Sequence, residues 1–190
     1  MILLVAVFAG AAAGLLRVQM NHRPVELNPF RLEWLVPLAF IPQLVAFQLP
    51  LTRQYVSDDW ARAALVSSQA LLLIFAWANR KAPGAWALGI GLLLNFAVIV
   101  LNGGWMPVSP ETVSHYLPGG WQVGQRLAAQ KDIILPVSQT RLWWLSDRFT
   151  LPDWAPSHVA FSIGDIIIAI GAFLLLWSMG AAPRKREEIL

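Results

Sequence analysis

The sequence predicts an all-α integral membrane protein: a five-helix transmembrane bundle with a long ordered extracytoplasmic loop containing a short amphipathic interfacial helix. Three observations predict it. Of the 190 residues, 57% are hydrophobic and 13% charged, more apolar than soluble domains, which run to about 45–50%. Five apolar segments approach the length that crosses a bilayer. Basic residues also gather in alternate connections between those segments.

The first predicted helix, residues 2–16, resembles a signal peptide at Ala11–Ala13, but no basic residue precedes its apolar run and Arg17 follows it. The second, 34–49, contains Pro37 and Pro42, each of which removes a backbone donor, so a kinked or re-entrant helix is expected. The third and fourth are 60–78 and 85–101, and the fifth is 159–180. One membrane domain spans 1–190, with an outer loop at 102–157 and a cytoplasmic tail at 181–190. Arg17, Arg23 and Arg31, then Arg80 and Lys81, then Arg184, Lys185 and Arg186 fall on one side of a five-span chain. That side is therefore cytoplasmic, with the N-terminus outside. Trp34, Trp77, Trp86 and Trp177 fall at inner ends and Trp60 and Trp105 at outer ends, as interfacial indoles should.

Asp165 is the most informative residue. It lies seven residues into the fifth predicted helix, beside Ile166, Ile167 and Ile168, and an acid in a bilayer costs about 2.5–3.5 kcal/mol unless it faces protein or water. At 100° per residue, His158, Ser162, Asp165 and Ala169 form one stripe, and Gly91, Asn95 and Asn102 form another on the fourth helix. If these stripes face each other, a polar pocket opens outward with Asp165 about 10 Å deep. Ser67, Ser68, Gln69, Gln43 and Gln48 would complete its wall. A purely structural reading stands beside this one, because polar side chains between membrane helices commonly serve as hydrogen-bonding glue. Gly10 with Gly14, and Gly164 with Gly171, suit close helix packing.

The loop 102–157 is too rich in Trp and Leu for a solvated linker and is expected to be ordered. Asn102-Gly103-Gly104 and Gly119-Gly120 mark turns. Residues 140–149 suit a short helix with Leu142, Leu145 and Phe149 on one face and Arg141 and Arg148 on the other, lying flat as a lid.

Known chemical signatures are missing: there is no Walker loop, dinucleotide fingerprint, HExxH or GxSxG. The chain contains no cysteine, which removes disulfides, thiolate metal sites and cysteine nucleophiles. No cofactor and no metal are expected. The basic tail, followed by Glu187 and Glu188, suits lipid headgroups and not nucleic acid. Two stretches, Asn102-Gly103-Gly104-Trp105-Met106-Pro107-Val108 and Phe161-Ser162-Ile163-Gly164-Asp165, resemble paired signatures of an uncharacterised family of small bacterial multi-pass membrane proteins, classed as a domain of unknown function. That resemblance implies the architecture and a bacterial inner-membrane location, and it brings no activity, substrate or cofactor.

Three functions are compatible with the sequence. The leading one is a non-catalytic accessory or scaffold component of a membrane assembly, with membrane lipids and a membrane-protein partner, in which Asp165 and Asn102 tie bundle and lid together. The second is binding or transport of a small solute, lipid or proton at Asp165. The third is an outer-leaflet enzyme acting on a lipid carrier, with Asp165 as base and Asn102, Gly103 and Gly104 holding an anion. The candidate polar site is thus Asp165, Ser162, His158, Asn95, Asn102, Gly103 and Gly104.

Overall fold

A computed structural model describes residues 2–20, 30–49, 55–117, 119–127, 130–152, 154 and 159–178. Five long helical segments form the bundle: α1 (Ile2–Met20), α2 (Leu35–Gln43, continued by a π-helical turn Leu44–Gln48), α3 (Asp58–Ala78), α4 (Ala85–Leu101) and α6 (Ile163–Ser178). Between α4 and α6 the chain builds a cap from β1 (Met106–Val108), α5 (Pro110–Ser114), β2 (Asp132–Ile134), β3 (Phe149–Thr150) and β4 (Ala160–Phe161).

Local chemistry sets the ends of these elements. Ser57 caps α3 by accepting from Trp60 N, and Asp58 and Asp59 occupy its electropositive first turn. Gly84, with φ 83°, starts α4. Gly103 and Gly104, with φ 74° and 90°, stop it, and Gly104 N–H returns to the Ile99 carbonyl at 2.8 Å. In α2, Pro42 cannot donate backward, and the chain relaxes into the π turn after it. Ser68 Oγ donates to the Ala39 carbonyl across the α2–α3 contact.

Helix α6 packs between α1 and α4, α4 packs on α3, and α3 packs on α2. Small residues permit the closest approaches. A Cβ on Gly10 or Gly14 would lie 2.8 Å from the carbonyls of Phe173 and Leu176, and one on Gly91 would lie 2.7 Å from the Gly164 carbonyl. At Gly171 a Cβ would collide with the Leu88 backbone. These glycines therefore let the helix backbones approach closely and set the interhelical distance.

The cap holds two small two-stranded sheets and its own core. β1 pairs parallel with β2, matching Met106 to Asp132, and β3 pairs antiparallel with β4. Isolated bridges join Val108 to Asp147 and Arg126 to Ile133. Val108, Val113, Leu127, Ile134 and Ala160 cluster inside it. Trp105, Met106 and Leu145 plug the bundle against Phe47, Leu65, Val98 and Ile99. The expected order of the loop is thus present.

Several expectations are corrected. The last helix starts at Ile163, not 159, because Ala160 and Phe161 are already committed to strand pairing. No helix forms at 140–149: Leu142 takes a left-handed conformation, φ 54°, and a single 3-10 turn follows at Trp143–Leu145. Trp105 is buried against Phe47 and beneath Arg126, so it is not an interfacial anchor. Ser67 and Ser68 donate to backbone carbonyls and do not line an open pocket wall with Gln48, which is exposed. Among the described residues one helix, Asp58–Ala78, is long and apolar enough to cross a membrane. Val5–Met20, Leu35–Gln48, Ala85–Leu101 and Ile163–Ser178 are apolar but shorter.

Candidate functional site

The site begins at the first turn of α6. Because strand β4 holds the chain extended through Phe161, Ser162 becomes the residue before the helix and Asp165 the third residue within it. The two form a reciprocal capping box: Ser162 Oγ accepts from Asp165 N at 3.0 Å, and Asp165 Oδ2 accepts from Ser162 N at 3.0 Å. Asp165 therefore stands at a helix end under the cap and not in mid-helix.

Asn95 of α4, almost fully buried, completes the junction. Its Nδ2 donates to Asp165 Oδ1 at 2.8 Å, and its Oδ1 accepts from Ser162 Oγ at 2.9 Å. Gly164 makes room for that amide, since a Cβ there would overlap Asn95 Oδ1. The expected facing of α4 and α6 polar residues is thus present for Asn95, Ser162 and Asp165. Asn102 lies elsewhere. Its Nδ2 donates to the Arg141 carbonyl and its Oδ1 accepts from Arg141 N, both at 2.9 Å, so its amide fastens the cap to the end of α4. Gly103 and Gly104 serve the turn beside it, and nothing lies within 4 Å of a Cβ built on Gly103. His158 falls outside the described residues.

The cap brings further charges that the sequence reading passed over. Lys131 Nζ lies 3.4 Å from Asp165 Oδ2 and 3.4 Å from Asp147 Oδ2, joining cap to bundle. Asp147 is completely buried and Asp132 nearly so. The two carboxyls lie close enough to influence each other's charge. Asp132 Oδ1, both Asp147 oxygens and Tyr116 Oη have no conventional donor or acceptor partner.

Burial is the main force on these groups. It raises Asp132 to about 6, against the lowering pull of Lys131, and it raises Asp147 well above the usual carboxylate range despite the same lysine. Burial alone would lower Lys131, but Asp147, Asp165 and Asp132 outweigh it and hold the ammonium charged beyond its ordinary range. Tyr116 is pushed up by burial and by the negative field of Asp132 and Asp147. One ammonium thus faces three carboxyls, and burial favours the neutral form of Asp132 and Asp147. A faint signal for this was present in the sequence: Lys131-Asp132 runs directly into the apolar Ile133-Ile134-Leu135, so charges leading a buried strand must find partners.

No group of three or more His, Asp or Glu among the described residues is arranged to hold a metal. The chain matches a family of unknown function, DUF5317, over residues 28–177. It belongs to that family. The matched span includes both motif stretches and every site residue just described, in keeping with the resemblance those motifs carry. A relative, an uncharacterized protein of Thermotoga maritima, is 27% identical over 137 residues, covering 69% of this chain and 71% of that protein. No solved structure matches.

Proposed function

We propose that this DUF5317 protein is a non-catalytic, five-span protein of the bacterial inner membrane that presents a rigid outer cap as a platform for a membrane-protein partner. The observation that carries this reading is the employment of its polar residues. Asp165 spends both oxygens on Asn95, Ser162 and Lys131, and Asn102 spends its amide on Arg141 and Val98. Groups so fully engaged hold a structure together and have little capacity left for substrate.

The surface supports the five-span part. Only 33% of the most apolar stretch of α3 is buried within the protein, unlike the core helix of a soluble domain. Phe8, Phe40, Ile90, Leu93 and Ile170 likewise face outward on the other helices. Helices α4 and α6 are 17 and 16 residues, near the lower limit of about 17 for a span, and α2, 9 residues continued by a π turn of 5, is shorter. The bundle end away from the cap carries Arg17, Arg31, Arg80 and Lys81 against Glu33 alone among the described residues, whereas the cap end balances its cations with acids. That asymmetry favours a cytoplasmic far end, an outside N-terminus and a cap outside.

The test is native mass spectrometry of the chain in native nanodiscs, beside Asp165→Asn and Asn102→Ala. A stoichiometric protein partner retained by the wild type and lost when Asn102→Ala loosens the cap supports the platform. A lipid or solute bound by the wild type and lost only in Asp165→Asn overturns it in favour of a ligand site. Solute or proton binding draws some support from the buried acids Asp132 and Asp147. A pH-dependent flux abolished by Asp147→Asn would establish that reading instead. The lipid-carrier enzyme has less support, since its anion-holding Asn102 is bonded to Arg141.

A further inference from the structure

The segment 141–149 is pinned unusually firmly for a loop. Asn102, at the end of α4, holds both backbone polar groups of Arg141. Leu145 is buried among Phe47, Leu65, Val98 and Ile99 at the bundle's cap end. Ser146 Oγ donates to the Trp143 carbonyl at 2.6 Å, Asp147 N donates to the Pro107 carbonyl at 3.1 Å, and Arg148 N donates to the Phe161 carbonyl at 3.2 Å. What this knuckle leaves outside is equally specific: Trp143, Trp144 and Phe149 are 43%, 50% and 38% exposed, alongside Arg141 and Arg148.

The charges on this surface lack acidic complements. Arg148 stacks over Trp143 at 5.0 Å and over Phe149 at 5.6 Å, and neither it nor Arg141 has a carboxylate partner among the described residues. Stacking occupies the face of a guanidinium and leaves its N–H edge free, the edge that binds phosphate. Asn102 also sets the depth, because Arg141 can lie no farther from the membrane than the end of α4. Trp60, 74% exposed at the same end of α3, stands at a comparable level. Indoles and unpaired cations at that level fit one partner above others, since indoles favour the headgroup region and cations its phosphates.

We propose that the 141–149 knuckle is a phospholipid contact, with Trp143, Trp144 and Phe149 seated in the headgroup layer on the cap side and Arg141 and Arg148 binding anionic phosphate there. This rests on the membrane-spanning reading above. The contact fastens the cap to the lipid surface as well as to the helices, and it sets the height at which a platform is held. It also explains why the segment is a 3-10 knuckle and not an amphipathic helix: Leu142 and Leu145 turn inward while consecutive indoles turn outward.

The natural absence of cysteine permits a clean depth measurement. Single cysteines replacing Trp144, Leu93 on the exposed side of α4, and Gln122 on the cap would each carry a spin label in phosphatidylcholine vesicles containing phosphatidylglycerol. Collision with oxygen and with a water-soluble nickel chelate would then be compared. The expected order is Leu93→Cys deep in the bilayer, Trp144→Cys at the interface and Gln122→Cys in water. A wet Leu93→Cys would overturn the spanning reading and this inference with it. A deep Leu93→Cys with Trp144→Cys as wet as Gln122→Cys overturns the inference alone, as does a Trp144→Cys label shielded from both reagents by a second protein chain. For the phosphate, Arg141→Gln and Arg148→Gln should each weaken phosphatidylglycerol retention about fivefold, and unchanged retention removes the arginines from the contact.

Discussion

Asp132→Asn gives the sharpest test of the buried acid cluster. Asp132 has a pKa raised to about 6 from its ordinary 3.8, chiefly by burial. The folded value exceeds the unfolded one, so the native state keeps a proton where the unfolded chain has lost it. Below about pH 4 both states are protonated and no penalty exists; between about pH 4 and 6 stability falls as pH rises, and above that the loss stays constant at roughly 3 kcal/mol. Lys131 does not confound this window, because its raised pKa makes its contribution complete from acid to neutral pH. Asparagine keeps the shape and has no charge to bury. The variant should therefore match the wild type near pH 4 and exceed it by up to about 3 kcal/mol at pH 7.5, or about 6–12 °C in Tm for a chain of this size. Thermal unfolding in nanodiscs reads the global effect, and hydrogen exchange over 106–117 and 130–150 reads the cap itself. An equal difference at both pH values, or a variant less stable than the wild type at pH 7.5, refutes the burial argument.

Three other expectations follow from the packing and the charges. Gly171→Ala places a methyl group against the Leu88 backbone and should destabilise by about 1–3 kcal/mol, whereas Gly89→Ala, whose new Cβ would lie 3.6 Å from Ala76 Cβ, should be neutral or stabilising by up to about 1 kcal/mol; paired thermal melts compare them. Ser162→Ala removes one half of the capping box and the donor to Asn95 Oδ1, costs about 1–2 kcal/mol and should speed amide exchange in the first turn of α6. Lys131→Met leaves Asp147 and Asp165 without their cation and should cost about 3–5 kcal/mol, and adding Asp147→Asn should recover part of that loss in a double-mutant cycle.

The bundle was legible because its signals are periodic and local. Apolar runs, the Gly84 and Asn102-Gly103-Gly104 boundaries and the small residues of α1, α4 and α6 each act over a few residues, and α4 begins and ends where the sequence places it. The pairing of Asn95 with Asp165 was legible for a related reason, since an amide and an acid in apolar helices need partners. The cap was not. Its strands are two or three residues long, too short for alternation to register, and its order depends on pairings such as Met106 with Asp132 that span many residues.

The misplaced helix start changes what Asp165 means. Counted from residue 159, an apolar run with an acid seven residues inside reads as a charge in lipid that demands a function. Counted from Ile163, the same acid completes a Ser-x-x-Asp capping box beside the electropositive end of α6, where its charge is favoured by the helix it begins. The larger electrostatic cost in this protein therefore falls on Asp132 and Asp147, charges in the outer loop that the sequence does not single out as a site. Their burial follows from the apolar strand they flank and from the knuckle at 143–145, which turns Asp147 inward as it turns two indoles out. Function should accordingly be sought first in the cap and its surface, with α6 as the post that holds it.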